Sequence, residues 1–283
     1  MIFAFVMVIL GFIGLAVGSF LTVVTDRLAT GEQIIWGRSH CPHCRKLLRW
    51  FELLPVASFL LQHGRCRSCS GSIPKSYLVI EVVTAVIFAS LGAGVLFGVV
   101  PTLDFLSQTL LFQTEPALGI GTLAASFIYY AFFASFAVAI SAFDFKHRLI
   151  PRSLVTPLIF IGSLKLLVTW VRFSDHGHLL FSLIVAGASF SLFWSLWFFS
   201  KGRAMGRGDA DIALAIALYL GPYLAIAGLL LAFWSGSIWG ILWIATGKLH
   251  FKSEIPFAPF LFGGAILALF LAEPIIGYLS LFG

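Results

Sequence analysis

Seven apolar blocks of about 20 residues, almost free of charge, run through this chain at 3–24, 77–99, 121–143, 153–171, 178–199, 223–246 and 259–281. As helices they match the hydrocarbon thickness of a bilayer. Charged residues make up 11% of the chain against 60% hydrophobic, too few to clothe a soluble globule. The expected fold is an all-α polytopic membrane protein. An eighth, shorter segment at about 209–220 is closed by Gly221-Pro222, giving about eight transmembrane helices. No Lys or Arg precedes Arg27 and no small-residue cleavage pattern follows the first block, so 1–24 reads as a retained helix and not a signal peptide.

Charge orients these spans. The segments 25–76, 144–152, 200–208 and 247–258 carry all but Lys165 and Arg172 of the 18 Lys and Arg residues. Eight spans with those segments cytoplasmic satisfy the positive-inside bias, and both termini then lie outside. The net charge of +6 is a consequence of topology. Because the basic residues are spread over four loops, nothing calls for nucleic acid. Membrane lipid is the expected surrounding, and the 30 Phe residues read as lipid-facing packing. The largest outside loop, 100–120, carries Asp104 and Glu115, and no internal repeat is apparent.

One polar insert, 25–76, separates the first helix from the bundle at 77–283. It is too short to bury a core unaided. It holds all four cysteines, as Cys41-Pro-His-Cys44 and Cys66-Arg-Ser-Cys69, with 21 residues between the pairs. Two such knuckles face to face give tetrahedral four-sulfur coordination, and a closed site of that kind is structural. Disulfides are the alternative, but cytoplasmic thiols stay reduced, which favours zinc. His40 and His43 are neighbouring substitutes as ligands or simply solvated.

Two acids stand at the ends of apolar blocks. Asp144 closes the third block in "SAFDFKHRLIP", and Asp209 opens the short segment in "GRGD". Under this topology both lie at the cytoplasmic membrane boundary. Each alone has a plain reading, Asp144 as a juxtamembrane charge and Asp209 as a helix N-cap. Together at one depth they suggest function, since acids near membrane depth are costly. Two carboxylates within hydrogen-bonding distance hold one proton between them, so one is base toward water and the other acid toward a carbonyl. Gly206 and Gly208 would let an extended backbone approach. Asp211 lies about 200° around the helix from Asp209, so it cannot also face Asp144. It needs a partner of its own, such as Arg203, Arg207 or a water-filled cleft.

These motifs resemble the type IV prepilin peptidases, membrane aspartyl proteases of the GxGD type. The resemblance rests on "GSFLTVVTDRL", "GRSHCPHC", "GRCRSC", "YLVIE", "DFKHRLIP", "GRGD" and "IPFAPFL", in that order along nearly the whole chain. It implies cleavage, after a glycine, of the basic leader of prepilins or pseudopilins at the cytoplasmic face of the bacterial inner membrane. It also implies N-methylation of the new terminus with S-adenosylmethionine as donor. By position Asp144 and Asp209 match the catalytic aspartates, and Cys41, Cys44, Cys66 and Cys69 match the zinc ligands of a methyltransferase-associated insert. Glu81 matches an acidic position of the methyltransferase half. Thr22, Ala29, Leu78 and Asp211 depart from the family's usual Asn, Pro, Pro and Lys. Two other readings compete: a peptidase without methylation, and a proton-coupled transporter using the two acids as a relay. The edge position of the acids and the lack of an inverted repeat speak against the transporter.

Overall fold

The structure, a computed structural model, describes residues 2–34, 36–103, 119–203, 205–247 and 255–272. The expected outside loop with Asp104 and Glu115, the loop lysines Lys248 and Lys252, and the end of the last apolar block lie outside the described residues. The helices are α1 (Ile2–Thr30), α2 (Ala57–Leu61), α3 (Lys75–Leu96), α4 (Ile120–His147), α5 (Arg152–Phe173), α6 (His176–Ser200), α7 (Arg207–Leu220), α8 (Pro222–Ala245) and α9 (Ala258–Phe270). Among the described residues there is no sheet, only two isolated bridges in the insert.

Among the described residues six helices, α1, α3, α4, α5, α6 and α8, are long and apolar enough to cross a bilayer. The 14 residues of α7 and the 13 of α9 make about 21 and 20 Å of helix. Helix α7 falls short of the hydrocarbon core of about 30 Å, while the rest of the apolar block that α9 opens lies outside the described residues. The expected count of eight adds these two to the six.

The chain divides into two compact units, Met1–Ala93 and Gly94–Gly283. In the first, α1 and α3 approach closely at small residues. A Cβ on Gly14 would lie 2.7 Å from Ala85 Cα, and one on Gly18 would lie 2.7 Å from Glu81 Cα. Helix α1 runs past its expected end at 24, and the buried Arg27 folds the following loop over its last turn. That guanidinium donates to the carbonyls of Gln33, Ile34, Trp36 and Gly37 at 2.9–3.3 Å.

The two cysteine knuckles are geometric copies, although beyond the CxxC spacing their sequences differ. In each, the first cysteine's N–H donates to the carbonyl five residues on, Cys41 to Lys46 and Cys66 to Gly71. Its carbonyl accepts from the residue four on, Arg45 or Ser70, and both of these residues have positive φ. The bridges His40–Leu47 and Arg65–Ser72 close the two turns at the same register.

In the second unit α7 is the innermost helix, packed against α5, α6, α8 and α9. Ala210, Ile212, Ala213, Ala215 and Ile216 are fully buried. It ends at Gly221, whose φ of 91° stops the helix, and Pro222 opens α8. The last carbonyls of α7 are thus left inside the bundle and need partners. Tyr219 O accepts from both Tyr129 Oη at 2.7 Å and Lys165 Nζ at 2.9 Å. Tyr219 Oη in turn donates to Tyr129 O, and the two rings stack at 4.1 Å. A cation at the negative end of a helix is favourable, so Lys165, unexplained in the sequence, serves as the cap of α7.

Helices α8 and α9 meet where Gly228 and Gly264 face each other, and a Cβ on Gly264 would come within 2.3 Å of Gly228 O. A Cβ on its neighbour Gly263 would meet nothing within 4 Å. Gly264→Ala is expected to lower the thermal unfolding midpoint in detergent, whereas Gly263→Ala leaves it in place. Equal midpoints for the two variants would contradict this packing.

Candidate active site

Asp144 lies in the last turn of α4. That helix ends at His147 because Arg148 takes a left-handed φ of 54° and returns its N–H to Asp144 O at 2.7 Å. Asp209 lies in the first turn of α7, where its Oδ2 accepts the Gly206 N–H at 3.0 Å. A third helix end joins them. The N–H of Ala258, the first residue of α9, donates to Asp144 Oδ2 at 3.2 Å, one of the free donors that every helix start offers. The two carboxylates are 5% and 4% exposed, and Asp209 feels the charge of Asp144. Asp144 at the end of α4 is thus tied to the start of α9, and Asp209, 65 residues further along the chain, lies at the start of α7 within reach of its charge.

Two atoms here lack partners. Among the described residues only His147 Nε2, Ser182 Oγ and Asp209 Oδ1 are buried side-chain polar atoms without a hydrogen bond. An orphaned buried polar atom costs about 1–3 kcal/mol, so Asp209 Oδ1 marks a place suited to a further polar group. His147 follows Asp144 by three residues, on the same face of α4. In the sequence it is one of the basic residues that follow Asp144, and the i, i+3 spacing is its one signal.

The glycines of the GRGD box divide their work. A Cβ on Gly208 would sit 2.6 Å from Ile150 Cβ, so this glycine lets the α4–α5 connection pack on the start of α7. The space expected for a substrate backbone at Gly208 is taken by Ile150. Gly206 gives its N–H to Asp209, and a Cβ there would meet only Asp209 Oδ2, at 3.3 Å. Asp211 finds its partner in Arg152 at the start of α5, with Nε to Oδ2 at 3.9 Å, and in neither Arg203 nor Arg207.

In the first unit, Glu81 is 8% exposed. Its Oε2 accepts the Val56 N–H at 2.7 Å. Nearby, the Tyr77 hydroxyl donates to Asp26. The four cysteines are free thiols whose Sγ atoms lie within 4.8 Å of one another, with Cys41 and Cys69 at 3.9 Å. A tetrahedral thiolate site with metal–sulfur bonds near 2.3 Å places its sulfurs about 3.8 Å apart, so the cluster fits a metal ion. The backbone N–H groups of Ser68 and Cys69 lower the Cys66 thiol to about 6, while at Cys69 the Gly71 N–H is outweighed by burial and the neighbouring sulfurs, which raise that thiol to about 11, so the sulfurs titrate as one packed cluster. His40 and His43 stand outside this four-sulfur set, and His43 instead bonds Ser72 O through Nε2 at 3.1 Å.

A polytopic helical protein with a buried acidic pair at converging helix ends, and a thiolate-lined insert, is the class that fold and site define. A family model described as the Bacterial Peptidase A24 N-terminal domain matches residues 12–94, and one described as the Type IV leader peptidase family matches residues 131–241. The chain is 30% identical to the prepilin leader peptidase/N-methyltransferase of Bacillus subtilis (strain 168), over 95% of this chain and 96% of that protein. It is 30% identical to the protein of the same name from Burkholderia pseudomallei (strain 1026b), over 93% of this chain and 84% of that one. For the Aeromonas hydrophila protein the identity is 29%, over 87% and 84%. No solved structure matches. The chain belongs to the type IV leader peptidase family.

The Arg152 side chain is 66% exposed, and exposed ion pairs contribute at most about 1 kcal/mol. Asp211→Asn is therefore expected to shift the unfolding midpoint little, and less than Asp144→Ala, which strands the Ala258 N–H. A larger loss for Asp211→Asn would show that it does more than pair with Arg152.

Proposed function

We propose that the chain is a prepilin peptidase that cleaves the basic leader of a type IV prepilin or pseudopilin after a glycine. The reading rests above all on the convergence of Asp144 and Asp209. Two sequence-distant acids are both buried at helix ends, near enough for one to feel the other's charge, and one carboxylate oxygen of Asp209 is left without a partner. One aspartate takes a proton from water, and the other gives a proton to the scissile carbonyl oxygen as the water adds. The proton taken from water then passes to the leaving amide nitrogen, and no covalent enzyme intermediate forms. The Gly206 and Ala258 N–H groups fix each carboxylate through one oxygen and leave the other for the reaction. The positive-inside charge pattern supports a cytoplasmic-facing site in the bacterial inner membrane.

We further infer that the first unit carries N-methylation of the new terminus, with S-adenosylmethionine as methyl donor and Glu81 as an acidic residue of that half. The names of the relatives support this. So does the near agreement between the N-terminal family match and the first compact unit. The cysteine cluster suits zinc as a closed, structural ion held by Cys41, Cys44, Cys66 and Cys69, and the insert's small size makes such a staple useful.

Purified protein mixed with a co-encoded small protein bearing a basic leader and a Gly-Phe junction tests both activities, read by intact mass. Wild-type protein should release a shortened, methylated product. Asp144→Asn and Asp209→Asn should each cut cleavage by about 10²–10⁴-fold while remaining in the membrane. Full cleavage by either variant would overturn the pair, and an unmethylated wild-type product would confine the chain to proteolysis. Separately, elemental analysis should find one zinc per chain, lost in Cys41→Ser together with protease resistance of the insert.

A further inference from the structure

The insert is less polar than its composition suggests. Residues 50–62, Trp-Phe-Glu-Leu-Leu-Pro-Val-Ala-Ser-Phe-Leu-Leu-Gln, contain a single charge, Glu52, and its carboxylate is engaged by the Arg49 N–H at 2.8 Å. This stretch folds as a turn of 3-10 helix, Trp50–Leu53, followed by α2. Neither element has a buried residue. Trp50 is 76% exposed and Leu61 69%, with Leu53, Leu54 and Leu60 also exposed. An apolar surface of this kind needs a cover.

Its position shows what the cover is. Val56, between the two short elements, gives its N–H to Glu81. Glu81 lies six residues into α3, about 9 Å along the helix from Lys75. It also lies one turn beyond Tyr77, whose hydroxyl meets Asp26 of α1 at the polar end of this helix pair. The apolar turn is therefore tied alongside a membrane-spanning helix, at a depth below that helix's polar start. Basic residues flank it in sequence on both sides, Arg45, Lys46 and Arg49 before it and Arg65 and Arg67 after it. An apolar patch with an exposed Trp and a cationic border, about 5–10 Å into the boundary between headgroups and acyl chains, is the pattern of an interfacial anchor.

We propose that residues 50–61 form an interfacial membrane anchor, seated in anionic phospholipid and held at that depth by the Val56–Glu81 hydrogen bond. The metal-binding insert is then a domain lying on the membrane, fixed at a third point beyond its two covalent connections. Glu81 acts here as a positioning residue, through the backbone of Val56.

The test uses full-length protein reconstituted at low density in phosphatidylglycerol vesicles with brominated acyl chains, comparing wild type with the conservative Trp50→Phe. The difference between their fluorescence spectra isolates Trp50. That difference signal should be lost in brominated vesicles and resist aqueous acrylamide. Leu61→Lys should reverse the pattern by lifting the turn toward water. A Trp50 signal quenched by acrylamide and untouched by bromine would overturn the anchor, leaving the turn in solvent. Protection from both quenchers would also overturn it, since a protein surface would then be the cover.

Discussion

Every carbonyl inside a bilayer needs a donor, and α7 stops before it has left the bundle. Its last turn is completed by a lysine and two tyrosines: Lys165 and Tyr129 both donate to Tyr219 O, while Tyr219 and Tyr129 exchange hydroxyl-to-backbone bonds. That cap lets a helix of 14 residues exist as an inner element surrounded by four others. The consequence lies at the opposite end. Because α7 is innermost, the acid in its first turn is buried, and because α7 is short, that acid lies at a level where α4 ends and α9 begins.

The acidic pair is thus a product of helix termini. Asp144 is fixed by the left-handed stop at Arg148 and by the first N–H of α9, and Asp209 by the N–H of Gly206. Carboxylates near helix starts are favoured by the free N–H groups and the dipole, which offsets part of the cost of burying two acids together. The proposed chemistry uses what this arrangement leaves over, an oxygen of Asp209 without a partner. Gly208 serves the same assembly as a packing residue, since Ile150 of the α4–α5 connection fills the space above it.

Much of this was legible in the sequence, for reasons tied to particular residues. Long apolar blocks register directly as spans, and Gly221-Pro222 marked the end of α7. The two CxxC pairs announced a thiolate cluster because each knuckle is local, needing only a few residues to form. The partner of Asp211 is not legible in the sequence, since Arg203 and Arg207 are near it in the chain whereas folding delivers Arg152 from the start of α5. Lys165 looked like a stray charge because the carbonyl it caps is 54 residues away. The apolar turn at 50–61 was absorbed into a polar insert because it is too short to register as a span.

By itself the sequence determined that this chain is helical and membrane-embedded, where its charges lie, and which four sulfurs and two acids are candidates for chemistry. Those properties depend on length, periodicity and local spacing, all of which survive in one dimension. Tertiary structure alone decided that Asp144 and Asp209 share a buried place, that α7 is innermost, and that Val56 binds Glu81. Each of these depends on residues far apart in the chain, and on contacts that exist only once the helices have packed.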